Sequence, residues 1–308
     1  MVLARIGLTG ASGMLGIHLV KLLLEKKIDI AASSIPGLNN LSPYLQCTAW
    51  DLSQWKRPEE INTIFPDVDA LVHIGAITSV DASRQAIFDV NVRSCLCLSE
   101  WAMSEGVPFI YISGATVYAA PEKNNILETD SKVISGIGGF YGYSKYLGEQ
   151  VLLYMAQQGL KICILRPSSI YGNGLSENKM ISRFLNIAEA DGVIELEHPI
   201  KDRIDLIHAR DVAEAVIQVL EHESWGIFNI ASECPSSIYE IAQTCVEVVG
   251  KGSVSCMPGL DDGIPSIRYG LNCDAARCAF NFSPKLTLKQ GISRMWQDVK
   301  NTTNILVD

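Results

Sequence analysis

Two residues able to exchange a proton stand four positions apart near the middle of the chain. Tyr141 and Lys145 lie in the segment FYGYSKYLGEQ, which is predicted to begin a helix, so their side chains share one helical face. A phenol has an ordinary pKa near ~10, and an ammonium beside it favours the phenolate, so the pair suits acid–base chemistry. The same spacing also arises where a tyrosine ring merely covers a lysine side chain. The rest of the chain decides between these interpretations.

A glycine-rich turn near the amino terminus is typical of dinucleotide binding. The apolar run from Leu3 to Thr9 precedes the turn, and helical spacing of apolar residues begins at Ile17. The first glycine permits the tight turn, the second lets a pyrophosphate approach the backbone, and the third lets the helix pack on the strand. The alternative is a tight turn without a ligand. The residues predicted to hold the pyrophosphate are Gly10, Ser12, Gly13, Met14, Leu15 and Gly16.

The end of the second predicted strand bears on which nicotinamide cofactor fits. A ribose with a free 2′-hydroxyl usually meets a carboxylate there, whereas Ser33 and Ser34 stand at this position. Hydroxyls do not repel a 2′-phosphate and can donate to it, so the choice between NAD and NADP leans toward NADP(H), although no arginine follows. Further along, Asp51 and Leu52 are predicted to hold the adenine by a hydrogen bond and an apolar contact. Asp51 also fits a helix N-cap.

Residues 69–76 are predicted to form a further buried strand that runs into a loop of small residues, which lets a flat dinucleotide lie close to the backbone. Gly75 and Ala76 are therefore predicted cofactor contacts. His73, inside the same strand, is expected to be structural, because no second metal ligand stands at a suitable spacing. No metal site is predicted.

Composition excludes several broad classes of function. The net charge of -9 argues against a nucleic-acid binder and against a protein that binds anionic membranes. The nine cysteines have no paired metal-ligand spacing and are interpreted as reduced packing residues. No apolar run reaches the ~18 residues that span a bilayer, and the first twenty residues lack the features of a signal peptide. We therefore expect a cytoplasmic protein.

Nine motifs follow one another along nearly the whole chain, and together they resemble those of the extended short-chain dehydrogenases/reductases. The chain is similar to the NAD-dependent epimerase/dehydratase group of that superfamily, which acts on nucleotide sugars. One such motif alone is weak evidence for the family, whereas nine motifs in the family's order are specific evidence for it. They are TGASGMLG, the pair Asp51 and Leu52, HIGA, the pair Asn91 and Val92, SGATVY, YGYSK, LRPSSIYG, RIDLIHARDVAEA and GIFNIAS.

The resemblance implies a role for each member of the catalytic site. Tyr141 is the acid–base, Lys145 binds the nicotinamide ribose and lowers the Tyr141 pKa, and a hydroxyl after the preceding strand polarises the substrate oxygen. Gly114 occupies the usual hydroxyl position in this chain, with Ser113 and Thr116 on either side. Thr116 is the better candidate, because two residues along an extended segment restore the same facing. A structural role for Thr116 is the alternative.

The resemblance also implies further binding residues. Asn91 and Pro167 are assigned to the cofactor, and Arg268 is assigned to the substrate diphosphate because a guanidinium fork matches phosphate oxygens in pairs. For each predicted substrate residue, the alternative is an ordinary solvated surface group. The full set predicted to contact the substrate is Thr78, Asn173, Lys179, Arg203 and Arg268.

The fold expected is α/β: a Rossmann-like, doubly wound parallel sheet of about seven strands with a smaller discontinuous α/β lobe. The dinucleotide-binding domain is predicted over residues 1–172 and 203–232, and the substrate lobe over residues 173–202 and 233–308. The resemblance further implies a homodimer, formed through the helices around residues 84–105 and 141–158.

The leading functional hypothesis is reduction of a nucleotide-linked 4-keto sugar, with Tyr141 donating the proton. The alternative is a 4-epimerase with tightly bound NAD, which uses the same residues; a non-sugar carbonyl substrate stays open. Dehydration is set aside, because similar 4,6-dehydratases carry an Asp-Glu pair where this chain has Ala115 and Thr116. A third hypothesis, favoured by Gly114, is a dinucleotide sensor that has lost the chemistry.

Overall fold

The computed structural model describes residues 4–37, 40–42, 45–79, 81–120, 123–132, 138–197, 200–257 and 267–305. Strands and helices alternate through the first half of the chain, as in a dinucleotide-binding fold. These elements are β1 (Arg5–Thr9), α1 (Met14–Glu25), β2 (Asp29–Ser34), β3 (Asn40–Ser42), β4 (Leu45–Ala49), α2 (Pro58–Ile64), β5 (Ala70–His73), α3 (Arg84–Phe88), α4 (Ser94–Glu105), β6 (Phe109–Ile112), α5 (Gly139–Gln157) and β7 (Ile162–Pro167).

The second half of the chain adds one more strand to the main sheet and several shorter ones outside it. Its elements are β8 (Ser169–Tyr171), α6 (Met180–Glu189), β9 (Val193–Leu196), β10 (Arg203–Ile204), β11 (Leu206–His208), α7 (Ala209–His222), β12 (Gly226–Ile230), β13 (Ser236–Ser237), α8 (Ile238–Val249), β14 (Ser253–Cys256), β15 (Ile267–Arg268), α9 (Asp274–Phe280) and α10 (Leu288–Ile305).

Eight strands form the central sheet, in the order β12-β7-β6-β5-β1-β2-β4-β3. Seven of them are parallel, and β3 pairs antiparallel with β4 at the edge. The predicted doubly wound parallel sheet is therefore confirmed, with one added antiparallel strand. The strand order reverses at β1, which has β2 on one side and β5 on the other, and ligands bind at such a switch point.

The central strands are buried on both faces because helices cover each side. On one face, α1 and α7 pack against side chains such as Leu8 and Leu165. On the other face, α2, α4 and α5 pack against side chains such as Leu71 and Ile164. Leu165 and Ile164 are neighbours in β7 and point to opposite faces, as the two-residue period of a strand requires.

The segment predicted as one helix over residues 84–105 has an irregular centre. A π-helical turn, Asp89–Arg93, separates α3 from α4. Such a turn inserts a residue into the helical repeat and is frequent at functional sites. The strand predicted within residues 69–76 spans Ala70–His73, and the residues that follow form a loop at the edge of the sheet, as expected.

The shorter strands lie outside the central sheet and support a second core. β10 pairs with β13 and β15, and β14 pairs with β9. A hydrophobic cluster joins α6, α8 and α10 through residues such as Leu185, Ile241 and Met295. In contrast, Phe280 at the end of α9 packs with the core of the central sheet. The predicted division into two lobes stays a prediction.

All nine cysteines are free thiols, and six of them are buried. In the part of the chain that the structure describes, no helix combines the length and apolar character needed to cross a bilayer.

Candidate active site

The glycine turn lies at the switch point of the sheet. Gly10 has a φ of +71°, and a Cβ there would lie 2.6 Å from the Gly75 nitrogen, so the loops after β1 and β5 meet through glycine backbones. A Cβ on Gly16 would lie 2.2 Å from the Gly10 carbonyl oxygen, which accounts for the close approach of α1. A Cβ on Gly13 would meet only that same oxygen, at an ordinary 3.4 Å. Protein packing therefore requires glycine at positions 10 and 16 but not at position 13.

The amino terminus of α1 faces the turn with its first amides. Gly13 is the N-cap, and no described side chain caps the helix. Met14 and Leu15 are the first residues of α1, and Ser12 is half-buried in the turn. Uncapped amides at a helix start attract an anion. Together with the open position at Gly13, this cradle fits the pyrophosphate of a dinucleotide.

The two serines at the end of β2 are both buried. The Ser33 carbonyl accepts a hydrogen bond from the Ala11 amide at 3.3 Å, which ties β2 to the glycine turn. The Ser34 hydroxyl donates to the Ile35 carbonyl at 3.3 Å. Both positions thus adjoin the turn, and the structure leaves the NADP(H) preference as a prediction.

Asp51 and Leu52 lie close to the same loops. The Asp51 carboxylate accepts a hydrogen bond from the Ser53 amide at 2.9 Å, which closes a local turn. It does not cap a helix, because α2 begins only at Pro58 with Arg57 as its N-cap. A Cβ on Gly75 would lie 2.5 Å from Leu52 Cδ1, so the leucine side chain covers the glycine after β5.

His73 is fully buried at the end of β5 and bonded on both ring nitrogens. Its Nδ1 lies 2.7 Å from the Thr9 hydroxyl and its Nε2 lies 3.1 Å from the Ser94 hydroxyl. Burial, with a contribution from Lys145, lowers the pKa of His73 to about 3. The neutral ring therefore joins β1 to α4. Among the described residues, no group of three or more His, Cys, Asp or Glu side chains could hold a metal ion.

Asn91 lies in the π-helical turn, and its side chain is hydrogen-bonded to the loop that follows β5. Its Oδ1 accepts from the Ile77 amide at 2.8 Å, and its Nδ2 donates to the Ile77 carbonyl at 3.0 Å. The same Nδ2 donates to the Ser144 hydroxyl at 2.9 Å, on α5. Asn91 thus fixes the loop that carries Gly75 and Ala76 against the helix that carries Tyr141.

Tyr141 and Lys145 lie one turn apart in α5, as predicted; the Lys145 side chain is buried and that of Tyr141 is half-buried. Lys145 donates to the Ile112 carbonyl at 2.8 Å, and its Nζ lies 4.7 Å from the centre of the Tyr111 ring. Burial lowers the pKa of Lys145 to about 8, opposed by Cys95 and Glu149. Burial, followed by the nearby Tyr269, raises the pKa of Tyr141 to about 12. This direction is opposite to the lowering expected from Lys145, because burial dominates.

Ser113 is hydrogen-bonded to a buried charge that no sequence motif indicates. Its hydroxyl donates to Glu149 Oε1 at 2.5 Å. Glu149 also accepts two hydrogen bonds from Arg166, at 2.9 and 2.6 Å, and both side chains are buried. Ser113 therefore points into an internal ion pair. Glu149 continues the helical face of Tyr141 and Lys145, but no feature of the sequence pairs it with Arg166.

Thr116 carries a hydroxyl that is buried and has no hydrogen-bond partner among the described residues. It lies in a short 3₁₀ turn, Ala115–Val117, that follows Gly114. A Cβ built on Gly114 would meet only Thr116 Oγ1, at 3.6 Å. The Thr116 hydroxyl therefore adjoins the space that a side chain at position 114 would enter. A Cβ on Gly142 would lie 2.8 Å from the Thr116 carbonyl, so the turn rests on the helix beside Tyr141.

The residues predicted to contact the substrate differ in their exposure to solvent. Thr78, Lys179 and Arg268 are exposed, and Asn173 is half-buried. Arg203 is held by protein groups: it donates to the Pro235 carbonyl at 3.0 and 2.8 Å and pairs with Glu240 at 3.1 Å.

Two further residues bear on the site. Pro167 ends β7 beside Ile230 of β12, at the same edge of the sheet. Tyr269, which follows Arg268 and has a φ of +58°, raises the pKa of Tyr141 and so lies near the predicted acid–base. No motif marked Tyr269, because its proximity to Tyr141 arises only in the folded chain.

Comparison with known proteins gives matches along nearly the whole chain. A family model described as "NAD dependent epimerase/dehydratase family" matches residues 6–231. A putative UDP-glucose 4-epimerase of Methanocaldococcus jannaschii is 27% identical over 310 residues, which cover 95% of this chain and 97% of that protein.

Solved structures show the same fold. A UDP-glucose 4-epimerase from Thermotoga maritima, with UDP-glucose, has a TM-score of 0.80 at 21% identity, covering 97% of this chain and 99% of that one. The UDP-glucose 4-epimerase of Thermus thermophilus, in complex with NAD, has a TM-score of 0.80 at 23% identity, covering 96% of this chain and 99% of that one. Because the family match spans both the glycine turn and the helix of Tyr141, the chain belongs to the NAD-dependent epimerase/dehydratase family of nucleotide-sugar enzymes, as its motifs predicted.

Proposed function

We propose that this chain is an NAD-dependent nucleotide-sugar 4-epimerase in which Tyr141 is the acid–base and Thr116 holds the reacting oxygen. The observation that carries the proposal is the buried Thr116 hydroxyl, which lacks a partner among the described residues, on a residue whose backbone carbonyl packs against the helix turn of Tyr141 at Gly142. A buried hydroxyl without a partner costs free energy, so a substrate oxygen is a fitting partner for it. A relative aligned over 95% of this chain and 97% of its own length is named a putative UDP-glucose 4-epimerase, which favours epimerisation over simple reduction.

Residues at the switch point would hold the cofactor. Gly13 and the first amides of α1 would receive the pyrophosphate, Leu52 and Gly75 would flank the adenosine side, and Lys145 would meet the nicotinamide ribose. Bound NAD supplies a positively charged ring that accepts hydride from the sugar and returns it. Lys145, with its pKa at about 8, is mostly charged at pH 7 and so favours the phenolate of Tyr141 when its own hydrogen bond shifts toward the ribose.

The protein's own groups account for the proton transfer. Tyr141 takes the proton of the sugar hydroxyl when that carbon is oxidised and returns it when the carbon is reduced. Thr116 donates a hydrogen bond to the same oxygen and stabilises the charge that develops on it. On the substrate side, the exposed Lys179 and Arg268 are proposed to meet the diphosphate, and Thr78 and Asn173 are proposed to meet the sugar. Arg203 is bonded to the Pro235 carbonyl and to Glu240, so we propose that it positions β10 and does not contact the substrate.

The second candidate is reduction of a 4-keto sugar with NADPH. One observation favours it. No carboxylate stands at Ser33 or Ser34 to repel the 2′-phosphate of NADPH. The two candidates share their catalytic residues and differ in whether the cofactor is regenerated in each cycle.

One experiment separates the candidates. The purified protein is denatured, the released nucleotide is identified, and the protein is assayed with UDP-glucose, UDP-N-acetylglucosamine and 4-keto sugars. Epimer formation without net NADH or NADPH oxidation, together with retained NAD, is the expected result. Stoichiometric NADPH oxidation with a 4-keto sugar would replace the epimerase proposal by the reductase. Full turnover by Tyr141→Phe would contradict both.

We also propose that the chain is a cytoplasmic homodimer. Two of the helices implied in the interface expose large aromatic side chains, Phe88 of α3 at 39% and Tyr154 of α5 at 60%. Exposed aromatics are enriched at protein interfaces. Sedimentation should give a dimer, and Tyr154→Glu should shift it toward monomer, whereas Tyr239→Glu on α8 should not. A monomeric parent protein would refute the proposal.

A further inference from the structure

The loop between β6 and the residues that precede α5 is fastened at both of its ends. Ser113 begins this loop and Tyr118 ends it, with Thr116 between them. At the first end, the Ser113 hydroxyl donates to Glu149 at 2.5 Å. At the second end, Arg166 donates to the Tyr118 hydroxyl at 3.1 Å, and Tyr118 donates to Asn229 at 2.6 Å.

One buried ion pair is hydrogen-bonded to both ends of the loop. Arg166 and Glu149 join through two hydrogen bonds, at 2.9 and 2.6 Å. The side chains are 2% and 0% exposed, so the charges are held in a medium of low dielectric constant. We call these two residues, with the hydroxyls of Ser113 and Tyr118, the Glu149–Arg166 brace.

The brace also connects the loop to the catalytic helix. Glu149 follows Lys145 by one turn of α5 and Tyr141 by two, so the three lie along one helical face. Between the fastened ends, Thr116 rests on the same helix, because a Cβ on Gly138 would lie 3.1 Å from Thr116 Cβ. The hydroxyl of Thr116 and the phenol of Tyr141 are therefore positioned from one rigid element.

Stability alone does not account for a charged pair in this place. Removing two charges from water is costly, and replacing such a pair with apolar residues often leaves a protein as stable or more stable. A bidentate pair does, however, fix distance and orientation more strictly than apolar packing does. The geometry that this pair fixes is that of the Thr116 loop.

We infer that Glu149 and Arg166 are positioning residues for the reaction, which hold both ends of the Ser113–Tyr118 loop so that Thr116 meets the substrate oxygen at the right distance from Tyr141. The inference rests on the proposed function, in which Thr116 contacts the substrate. It also assigns Ser113 a supporting role, since its hydroxyl is committed to Glu149.

The test uses small changes at the two ends of the loop, because removing Glu149 or Arg166 would strand a buried charge and prevent folding. Tyr118→Phe removes one hydroxyl, which is bonded to Arg166 and Asn229, and Ser113→Ala removes the other. We expect kcat to fall about tenfold or more in each, with KM nearly unchanged, because small displacements of a reacting group are costly. Tyr171→Phe, which removes a buried hydroxyl in the other core, is the matched control and should keep full kcat.

The decisive measurement is a double-mutant cycle with Thr116→Val. If the brace acts through Thr116, Tyr118→Phe has little further effect on kcat once that hydroxyl is absent. An equal loss in both backgrounds would overturn the inference, because it would show a general structural effect.

A second readout does not depend on activity. Hydrogen exchange at the amides of residues 115–118 should be faster in Tyr118→Phe and Ser113→Ala than in the parent protein or in Tyr171→Phe. Unchanged exchange rates would overturn the inference that the brace holds the loop in place. Failure of the proposed function looks different: the parent protein would form no epimer, while the exchange result would still report on the brace.

Discussion

At the scale of single residues, the Thr116 hydroxyl adjoins the space that a side chain at position 114 would occupy. We predict that Thr116→Val lowers kcat by about 100-fold to 1000-fold, the usual loss when one hydrogen-bond donor to a developing oxyanion is removed. We further predict that Gly114→Ser restores part of this loss. The new side chain has room, because a Cβ at position 114 would lie 3.6 Å from Thr116 Oγ1, and its φ of 176° suits any residue. The measurement is kcat for epimer formation in the single and double variants.

Thr116→Ser is the control for this series, because it keeps the hydroxyl and should keep most of the activity. Stability gives an independent check. A buried hydroxyl without a partner is destabilising, so Thr116→Val should leave the free energy of unfolding unchanged or raise it by up to about 1 kcal/mol. Full activity in Thr116→Val would remove Thr116 from the mechanism and leave the substrate oxygen without its assigned donor.

Gly13 allows cofactor binding to be separated from folding. We predict that Gly13→Ala raises the Kd for NAD at least about tenfold, a loss of about 1.4 kcal/mol, because its methyl group enters the space of the pyrophosphate. The free energy of unfolding should fall by no more than about 1 kcal/mol, since the Cβ meets the protein only at 3.4 Å. Gly16→Ala is the contrast, because its Cβ would overlap the Gly10 carbonyl and disturb the fold itself. Calorimetric NAD titration that gave equal Kd values for Gly13→Ala and the parent protein would contradict this placement.

At the scale of elements, the sequence predicts what depends on local pattern. The strand, turn and helix around Gly10 have a strong local signature, and the Tyr141–Lys145 spacing follows from helix geometry. Contacts between distant segments have no such signature. Arg166 meets Glu149, and Tyr269 approaches Tyr141, only because strands and lobes assemble. The facing of an extended segment already favoured Thr116 over Ser113, but no sequence pattern indicated that Glu149 would bind the Ser113 hydroxyl.

The π-helical turn between α3 and α4 has a function that can be tested through Asn91. This side chain makes three hydrogen bonds, two to Ile77 and one to Ser144. We predict that Asn91→Ala lowers the free energy of unfolding by about 2–4 kcal/mol, because buried polar groups lose their partners. NAD affinity should fall as well, since the loop of Gly75 is released. The measurement is urea unfolding, with the exposed Asn186→Ala of α6 as control; equal midpoints for the two variants would contradict the prediction.

At the scale of the whole molecule, two cores share one chain, and they meet where α1, β8 and the start of α7 come together. His18 on α1 and His208 at the start of α7 meet at this junction, with ring centroids 5.1 Å apart. Tyr171 packs on His208 at 5.2 Å, and its hydroxyl lies so close to α10 that a Cβ on Gly291 would contact it. The junction is thus built from neutral buried rings, and protonating it would place charge inside the packed interior.

The stability of the whole fold should therefore depend on pH through its buried histidines. Burial lowers the pKa of His73 and of His208 to about 3, and it lowers the pKa of His18 as well. The unfolded chain binds protons near pH 6.5 while the folded chain does not, so stability is fully present above that pH and is lost as pH falls toward 3. Between pH 6.5 and 5, above the range of most carboxyl groups, we predict a slope of about 2–3 kcal/mol per pH unit. His208→Asn keeps an acceptor for the Arg210 amide and should reduce the slope, whereas His222→Gln, at an exposed position, should not. The measurement is denaturant unfolding at a series of pH values. A slope unchanged in His208→Asn would exclude the His18–His208 junction as the source of the pH dependence.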